Sequence, residues 1–142
     1  MPTDDIGFRI RMLSNLINRR INQMIAEEET SLTAHQSWVL NYITHHTGQE
    51  IMQRDIEKQF SIRRSTASHM LQLMEKNGYI SRVPVPKDAR MKKLVITEKG
   101  MEAQVRMNDR IRRFENMLQS DMPTQELEYL KLLLKKLENN IL

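Results

Sequence analysis

The sequence contains no cysteine among its 142 residues, which excludes a disulfide-stabilised scaffold, a thiolate nucleophile, a cysteine zinc site and a peroxide-sensing thiol. Four glycines and four prolines are too few for a disordered chain or for an all-β protein with many turns. Aromatic residues make up only 5%, and leucine, isoleucine and methionine supply most apolar positions. This composition favours a helical protein, and the length suits one domain with its own core.

Long hydrophobic runs are also lacking. The longest uninterrupted leucine run is Leu132–Leu134, whereas a membrane-spanning helix needs about 20 apolar residues. The N-terminal residues Met1–Asp5 lack the basic and apolar parts of a signal peptide. We therefore expect a cytoplasmic protein with no membrane partner.

Positive charge is concentrated in one part of the chain. The net charge is +4, but residues 54–93 contain ten Lys/Arg and four Asp/Glu and alone sum to +6, whereas residues 1–53 sum to −2 and residues 94–142 to zero. A basic region on a near-neutral body is typical of proteins that bind a polyanion, although a solvated charged surface gives the same pattern.

Helical periodicity dominates both ends of the chain. Apolar residues recur every three or four positions over residues 6–26 and 127–141, which predicts two long helices. Thr97 is suited to cap a third helix, which carries apolar residues from Met101 to Leu118. Thr33 and Gln36 have the spacing of a capping box and predict the start of another helix, which extends to about residue 46.

The basic segment begins with two further predicted helices. A short helix over Gln53–Gln59 is joined through Ser61 and Ile62 to a longer helix over Arg63–Asn77. Gly78 is suited to end the longer helix because glycine accepts the left-handed conformation. One face of the longer helix is apolar, with Ala67, Met70, Leu71 and Met74, and the opposite face is polar.

Strand-like alternation follows over residues 79–85 and 92–97, and the polar segment between them, residues 86–91, predicts the basic tip of a β-hairpin. Pro84 and Pro86 restrict strand pairing there to an edge or a bulge. Two helices joined by a short turn and followed by a hairpin make a winged helix-turn-helix, whose second helix enters the major groove of DNA. The predicted fold class is therefore mainly α with a small β-hairpin wing, arranged as a winged helix-turn-helix with further helices before and after it.

Several motifs in this order resemble those of the MarR family of bacterial transcription regulators. They are Leu32-Thr33-x-x-Gln36-x-x-Val39-Leu40 in the second helix, Gln53-Arg54-Asp55-Ile56 and residues 62–68 in the helix-turn-helix, residues 73–82 at the exit into the wing, and Asp88-x-Arg90 with Leu94-x-Ile96-Thr97-Glu98-Lys99-Gly100. The last stretch is the most specific, and the resemblance covers residues 6–140.

The resemblance implies a homodimeric regulator that binds double-stranded DNA at a pseudo-palindromic operator, as a repressor released by a small-molecule ligand. It implies a single domain over residues 1–142, with the winged helix-turn-helix at about 32–97 and dimerisation helices at about 6–28 and 98–141. The apolar stripes at both chain ends agree with dimerisation, although packing of these helices within one chain is the alternative.

The polar face of the longer helix supplies the predicted DNA contacts. Its N-terminal part is placed to read base edges, through Arg64, Ser65, Ser68 and His69. The neighbouring positions are placed for phosphates, namely Arg63, Thr66, Gln72 and Lys76. Arg63 stands where the family often has a capping serine, and His69 has the alternative of a plain solvated histidine.

Arg90 is predicted at the wing tip, where the resemblance implies that an arginine enters the minor groove. A narrow A·T-rich groove concentrates negative potential and favours this. Asp88 is assigned a structural role, either pairing with Arg90 or capping the turn. The other basic wing residues assigned to the DNA surface are Arg82, Lys87, Lys92 and Lys93.

The resemblance also implies a site for a small apolar or aromatic effector between the dimer body and the DNA-binding lobe. The candidate lining residues are Phe8, Met12, Trp38, Tyr42 and Met107. Methionines form adaptable pocket walls, but methionine and aromatic residues at helical spacing also fill ordinary cores.

Other classes of function have weaker support. A metal sensor is disfavoured because the adjacent His45 and His46 point in different directions and no His-x-x-x-His pair is present. The sequence has no Gly-rich phosphate loop, Gly-x-Ser-x-Gly or His-Glu-x-x-His, so we predict neither an enzyme nor a bound cofactor. The alternative to a DNA-binding regulator is a winged-helix module that binds another protein and has no specific DNA binding. The basic recognition face and wing favour DNA.

Overall fold

A computed structural model of the chain describes residues 3–27, 32–46 and 48–142. Within these ranges, six helices and a two-stranded antiparallel hairpin follow one another in the order α1 (Ile6–Ala26), α2 (Ala34–His45), α3 (Gln53–Phe60), α4 (Arg64–Lys76), β1 (Ile80–Val85), β2 (Asp88–Ile96), α5 (Glu98–Leu118) and α6 (Thr124–Ile141). The helix-turn-helix is α3 and α4, and the hairpin is the wing. This order confirms the predicted fold class.

The chain divides into two compact units, residues 1–110 and 111–142. In the first unit, α1, α2, α3, α4 and the hairpin supply the largest of the fully buried side chains, which are Ile21, Val39, Leu40, Ile56, Leu71, Met74 and Ile80. These positions follow the helical and strand periodicities of the sequence, so burial of the apolar faces explains why these segments adopt their structures. The predicted limit of the N-terminal dimerisation helix, residue 28, lies outside the described residues.

The capping box at the start of α2 is confirmed. The Gln36 backbone N–H donates to Thr33 Oγ1 at 3.3 Å, and the Thr33 N–H donates to Gln36 Oε1 at 3.2 Å. The Ala34 N–H donates to the side-chain oxygen of Asn22 on α1 at 2.8 Å. Three N–H groups at this helix end are therefore satisfied by side chains.

The helix-turn-helix has a three-residue turn. Ser61 takes the left-handed conformation with φ of 50° after α3, and α4 begins at Arg64. Arg63 is the N-cap residue of α4, and its side chain makes no capping hydrogen bond. Gly78 has φ of +83° directly after α4, as the sequence predicts for the end of this helix.

The wing corrects one prediction. The polar loop predicted over residues 86–91 is wrong, because β2 begins at Asp88 and leaves only Pro86 and Lys87 in the turn. Pro84 pairs with Lys92 while Val85 pairs with Asp88, so the strand register shifts between Pro84 and Val85. Proline has no N–H for the ladder, so a bulge at this place agrees with the restriction that the prolines impose.

The wing is also attached to the helix-turn-helix by its backbone. The Leu94 N–H donates to the carbonyl oxygen of Ile51, just before α3, at 2.6 Å. Both side chains are buried. This contact fixes the position of β2 relative to α3.

Apolar side chains are exposed on α1 and on α6. In the first half of α1, Leu13 and Leu16 are 51% and 54% exposed, although Ile21 and Ile25 in its second half are buried. In the second unit, α6 has no buried residue, and its exposed apolar side chains include Leu130, Leu132, Leu133 and Leu134. Across the described ranges, no helix combines the length and hydrophobicity that crossing a membrane requires.

Candidate nucleic-acid interface

The recognition helix α4 presents the polar face that the sequence predicts. Ala67, Leu71 and Met74 are buried against the rest of the first unit. The opposite side chains are exposed and comprise Arg63, Arg64, Ser65, Thr66, His69, Gln72 and Lys76, while Ser68 is half-buried. The helix is therefore held by one face and leaves the other accessible from its first turn to its last.

A basic groove lies between the first turn of α4 and the wing. It has a volume of about 390 Å³ and is lined by the cations Arg54, Arg64, Arg82, Arg90 and Lys92. Glu57 is the one carboxylate in the described lining. Side chains from α3, α4 and both wing strands thus converge, and the excess positive charge of the sequence is gathered at one surface.

Asp88 makes both of the contacts suggested by the sequence, since it pairs with the Arg90 side chain and accepts a backbone N–H beside the turn. Its Oδ1 accepts a hydrogen bond from the Arg90 backbone N–H at 3.0 Å and lies 3.6 Å from the Arg90 Nε. Arg90 was predicted at the wing tip, but it lies within β2, beyond the two-residue turn. The register shift in the hairpin causes this difference, and Lys87 occupies the turn instead. The Arg90 side chain is 94% exposed.

Arg82 lies at the inner end of the basic groove, and its side chain is only 23% exposed. Its Nη1 donates to Gln53 Oε1 at 3.4 Å, and its Nε lies 4.0 Å from Glu75 Oε1. Gln53 Nε2 in turn donates to the backbone carbonyl of Arg64 at 3.4 Å. Arg82 therefore connects the wing with α3 and α4. Its charge alone did not indicate this structural role.

A second groove, mostly apolar, follows the other flank of α4. It has a volume of about 550 Å³, and α2, α3 and α4 all contribute to it. The apolar part of its lining is Val39, Phe60, Ile62, Met70 and Leu73. Ser65, Thr66 and His69, all predicted DNA contacts, lie along the same groove. Of the predicted recognition residues, Arg64 thus lines the basic groove, whereas these three line the apolar groove.

In the described part of the chain, two of the five predicted effector residues line one groove. Phe8 and Met12 line a groove of about 400 Å³ along α1, which does not include Trp38, Tyr42 or Met107. Met107 is buried, and Trp38 and Tyr42 are half-buried. The Tyr42 ring instead packs against His46 and Phe60, with ring centroids 4.1 Å and 6.1 Å away. Helical spacing does not show which of these residues share a cavity, and Met12 is exposed rather than in the core.

His45 and His46, at the C-terminal end of α2, form hydrogen bonds to the preceding turn of the helix. Nδ1 of His45 lies 2.7 Å from the Asn41 carbonyl oxygen, and Nδ1 of His46 lies 2.7 Å from that of Tyr42. Within the part of the chain that the structure describes, no group of three or more metal-ligating side chains is placed to hold a metal ion.

Comparisons with known proteins agree with this architecture. Residues 30–91, which include α2, α3, α4 and β1, match the sequence model of the MarR family. The transcription regulator MarR from Oenococcus oeni PSU-1 is 27% identical and has a TM-score of 0.81, over 95% of this chain and 99% of that chain.

Two further solved structures share the fold. MepR of Staphylococcus aureus in a DNA complex is 22% identical, with a TM-score of 0.89 over 100% of both chains. The transcriptional regulator SlyA is 22% identical, with a TM-score of 0.85 over 96% of this chain and 94% of that chain. The likeness therefore extends from α1 to α6.

Proposed function

Because residues 30–91 match the sequence model of the MarR family, we propose that the chain is a regulator of this family. It binds double-stranded operator DNA as a homodimer and represses transcription until a small ligand releases it. Its relatives are regulators, not enzymes. The observation that carries the proposal is the basic groove, in which Arg64 of α4 adjoins Arg90 and Lys92 of the wing. Because its partner is DNA, we assign the protein to the cytoplasm.

The exposed face of α4 is proposed to enter the major groove. Arg64 and Ser65 in the first turn, with Ser68 and His69 one turn later, face base edges. Arg63 makes no capping bond, so its side chain and the open N–H groups of the first turn are available to a phosphate. The remaining phosphate contacts are Thr66, Gln72 and Lys76 from the helix and Lys87, Lys92 and Lys93 from the wing, while Arg90 enters the minor groove.

The dimer is proposed from the exposed apolar surfaces of α1 and α6. Four leucines of α6 are each more than one-third exposed in the single chain, namely Leu130, Leu132, Leu133 and Leu134, and contact with a second copy would remove them from water. A two-fold dimer presents two α4 helices, so the operator is expected to contain inverted half-sites about 10 base pairs apart.

Ligand release is proposed to act at the apolar groove beside α4. An apolar or aromatic molecule fits its lining of Phe60, Met70 and Leu73. Ser65 and His69 lie at the same groove, so a bound molecule would obstruct the surface that DNA needs. This location differs from the effector site expected from the sequence, whose candidate lining residues are Phe8, Met12, Trp38, Tyr42 and Met107.

The DNA-binding proposal is tested with the promoter DNA beside the gene. Fluorescence anisotropy should show a preference for a fragment containing an inverted repeat over a scrambled fragment of equal length. The double variant Arg64→Ala/Arg90→Ala should lose this preference, whereas Arg106→Ala removes an exposed cation on α5 and should keep it. Equal affinity of the wild type for both fragments would contradict specific binding. Heparin retention independent of salt would favour a protein-binding module.

The ligand proposal is tested with the fluorescent aromatic anion 1-anilinonaphthalene-8-sulfonate. Its fluorescence should rise on binding, and increasing probe should displace labelled operator DNA. Met70→Trp, which fills the groove, should weaken both effects. Met12→Trp, in the groove along α1, serves as the matched change and should leave both effects unchanged if the groove beside α4 is the site.

A further inference from the structure

The end of the recognition helix is held by the first turn of α5. Thr97 Oγ1 donates to the Gly78 carbonyl oxygen at 2.5 Å and accepts from the Gly100 N–H at 3.0 Å. Lys99 Nζ donates to the Asn77 carbonyl oxygen at 2.6 Å. The same Nζ lies 4.7 Å from the ring centroid of Tyr79, a cation–π distance. We call this set of contacts the α4–α5 clasp.

Gly100 permits this close approach. A Cβ at this position would overlap the Tyr79 carbonyl oxygen and would lie 2.9 Å from Ile96 Cγ1. That carbonyl is occupied, since it accepts the Thr97 N–H at 3.1 Å. The backbones of residues 78–79 and 97–100 therefore meet directly, with no side chain between them.

The clasp acts on carbonyl groups that α4 itself leaves unused. The N–H groups of Asn77, Gly78 and Tyr79 already bond back to Leu73, Glu75 and Met74 of α4. The carbonyls of Asn77 and Gly78 face away from that turn and are taken by Lys99 and Thr97. The helix end is thus fixed from both sides.

Fixing one end determines where the other end lies, because α4 is a stiff rod. Its 13 residues span about 20 Å, so a tilt of about 10° at the clasp would move Arg64 by about 3 Å. That displacement equals a whole hydrogen-bond length and would remove contacts to base edges. Phosphate contacts at long, flexible cations tolerate it better.

We propose that Thr97, Lys99 and Gly100 are positioning residues for DNA reading, which they serve through α4 without touching DNA. The proposal rests on the proposed function. If it is correct, loss of these contacts lowers the affinity for the operator more than the affinity for unrelated DNA. Loss of folding would lower both affinities together.

The test uses the full-length chain with Thr97→Val and Lys99→Met, and with Thr97→Ser as the conservative variant that keeps the hydroxyl. Thr33→Val is the matched control, since Thr33 caps α2 by the same kind of bond, an Oγ1 that accepts the N–H three residues later. Amide hydrogen exchange is measured on the free protein, and affinities are measured for operator and scrambled DNA.

In Thr97→Val and Lys99→Met, the amides of Asn77, Gly78 and Tyr79 should exchange at least about ten-fold faster than in the wild type, since Thr97→Val removes two hydrogen bonds of the clasp and Lys99→Met removes one. Operator affinity should fall about ten-fold, and affinity for scrambled DNA should change less than about two-fold. Thr97→Ser should restore both properties, and Thr33→Val should match the wild type in both.

Unchanged exchange at residues 77–79 in Thr97→Val would overturn the clasp. Equal losses for operator and scrambled DNA would also overturn it, because they would indicate a general loss of folded protein. A wild type that binds operator and scrambled DNA equally would overturn the proposed function, whatever the exchange rates show. The exchange measurement needs no DNA, so the two failures are distinguishable.

Discussion

Asp88 holds Arg90 through a single oxygen, which accepts the Arg90 backbone N–H at 3.0 Å and lies 3.6 Å from its Nε. The carboxylate sits half-buried beside the turn, while the arginine side chain is almost wholly exposed. An acidic group beside a DNA surface repels phosphates, so its presence is explained by the orientation that it gives to the arginine.

This relationship predicts different effects for two substitutions of Asp88. Asp88→Asn keeps an oxygen for the Arg90 N–H and removes the negative charge, so operator affinity should stay equal or increase. Asp88→Ala removes the acceptor as well, and affinity should fall by about three- to ten-fold, the effect of one net hydrogen bond. Anisotropy titrations at one salt concentration compare the two. Weaker binding by Asp88→Asn than by Asp88→Ala would contradict the orienting role.

The basic groove predicts a steep dependence of binding on salt. If each subunit neutralises three to five phosphates, a dimer neutralises roughly six to ten, and affinity should fall by about 10³–10⁵ between 50 and 200 mM salt. Lys92→Ala should reduce the magnitude of the slope, whereas Arg106→Ala, outside the groove, should leave it unchanged. A flat salt response would exclude an interface dominated by phosphate contacts.

The exposed leucines of α6 predict dissociation when they are made polar. Leu130 and Leu134 are 42% and 41% exposed in the single chain, so changing them to glutamate should affect association more than folding. Each change occurs twice in a dimer, and the dimer Kd should rise by at least about 100-fold. Sedimentation equilibrium measures this, with the exposed Gln125→Glu as control. A wild-type protein that is monomeric while binding its operator tightly would contradict the dimer.

Two glycines predict opposite changes in stability. Gly100→Ala places a methyl group against the Tyr79 carbonyl and should lower the free energy of unfolding by about 1–3 kcal/mol. Gly7, near the start of α1, has nothing within 4 Å of such a methyl group, so Gly7→Ala should be neutral or stabilising by up to about 1 kcal/mol. Urea denaturation followed by the fluorescence of the single tryptophan, Trp38, gives both values. Equal changes in the free energy of unfolding for the two variants would show that the backbone near Gly100 accommodates the added methyl group without loss of stability.

Local signals in the sequence were sufficient wherever the structure depends on neighbouring residues. The capping box of Thr33 and Gln36 and the helix end at Gly78 involve groups within a few positions of each other. The turn of the wing was placed wrongly because strand register depends on which residues pair across the hairpin, and the prolines indicate a bulge without showing how many residues it contains. Alternation alone therefore left β2 too short.

Side-chain roles that depend on distant partners were also missed. Arg82 was assigned to DNA by its charge, but its partners Gln53 and Glu75 lie on two other elements, which no spacing rule connects. The predicted effector residues came from separate helices, and helical periodicity does not determine which faces of different helices share a cavity. The groove beside α4 requires the packing of α2 against the helix-turn-helix, which the sequence does not specify residue by residue.

The last prediction distinguishes the helix from the wing. Arg64 is exposed in the first turn of α4, and its backbone carbonyl accepts a hydrogen bond from Gln53 Nε2. Arg90 is exposed on β2 and is held by Asp88. Replacing either arginine with alanine should therefore leave melting and dimerisation unchanged, which must be shown first.

Binding is then measured against a panel of single-base operator variants. Arg64→Ala should cost about 1–3 kcal/mol, about 5- to 150-fold in affinity, and should relax preference at one position in each half-site, because a bidentate contact to a base is lost. Arg90→Ala should weaken binding most on operators with A·T-rich flanks, because the potential it uses depends on the width of the minor groove. An equal loss across the panel for Arg64→Ala would make Arg64 a phosphate contact. Unchanged binding by Arg90→Ala at physiological salt would mean that the wing does not engage DNA and that the two α4 helices read the operator without it.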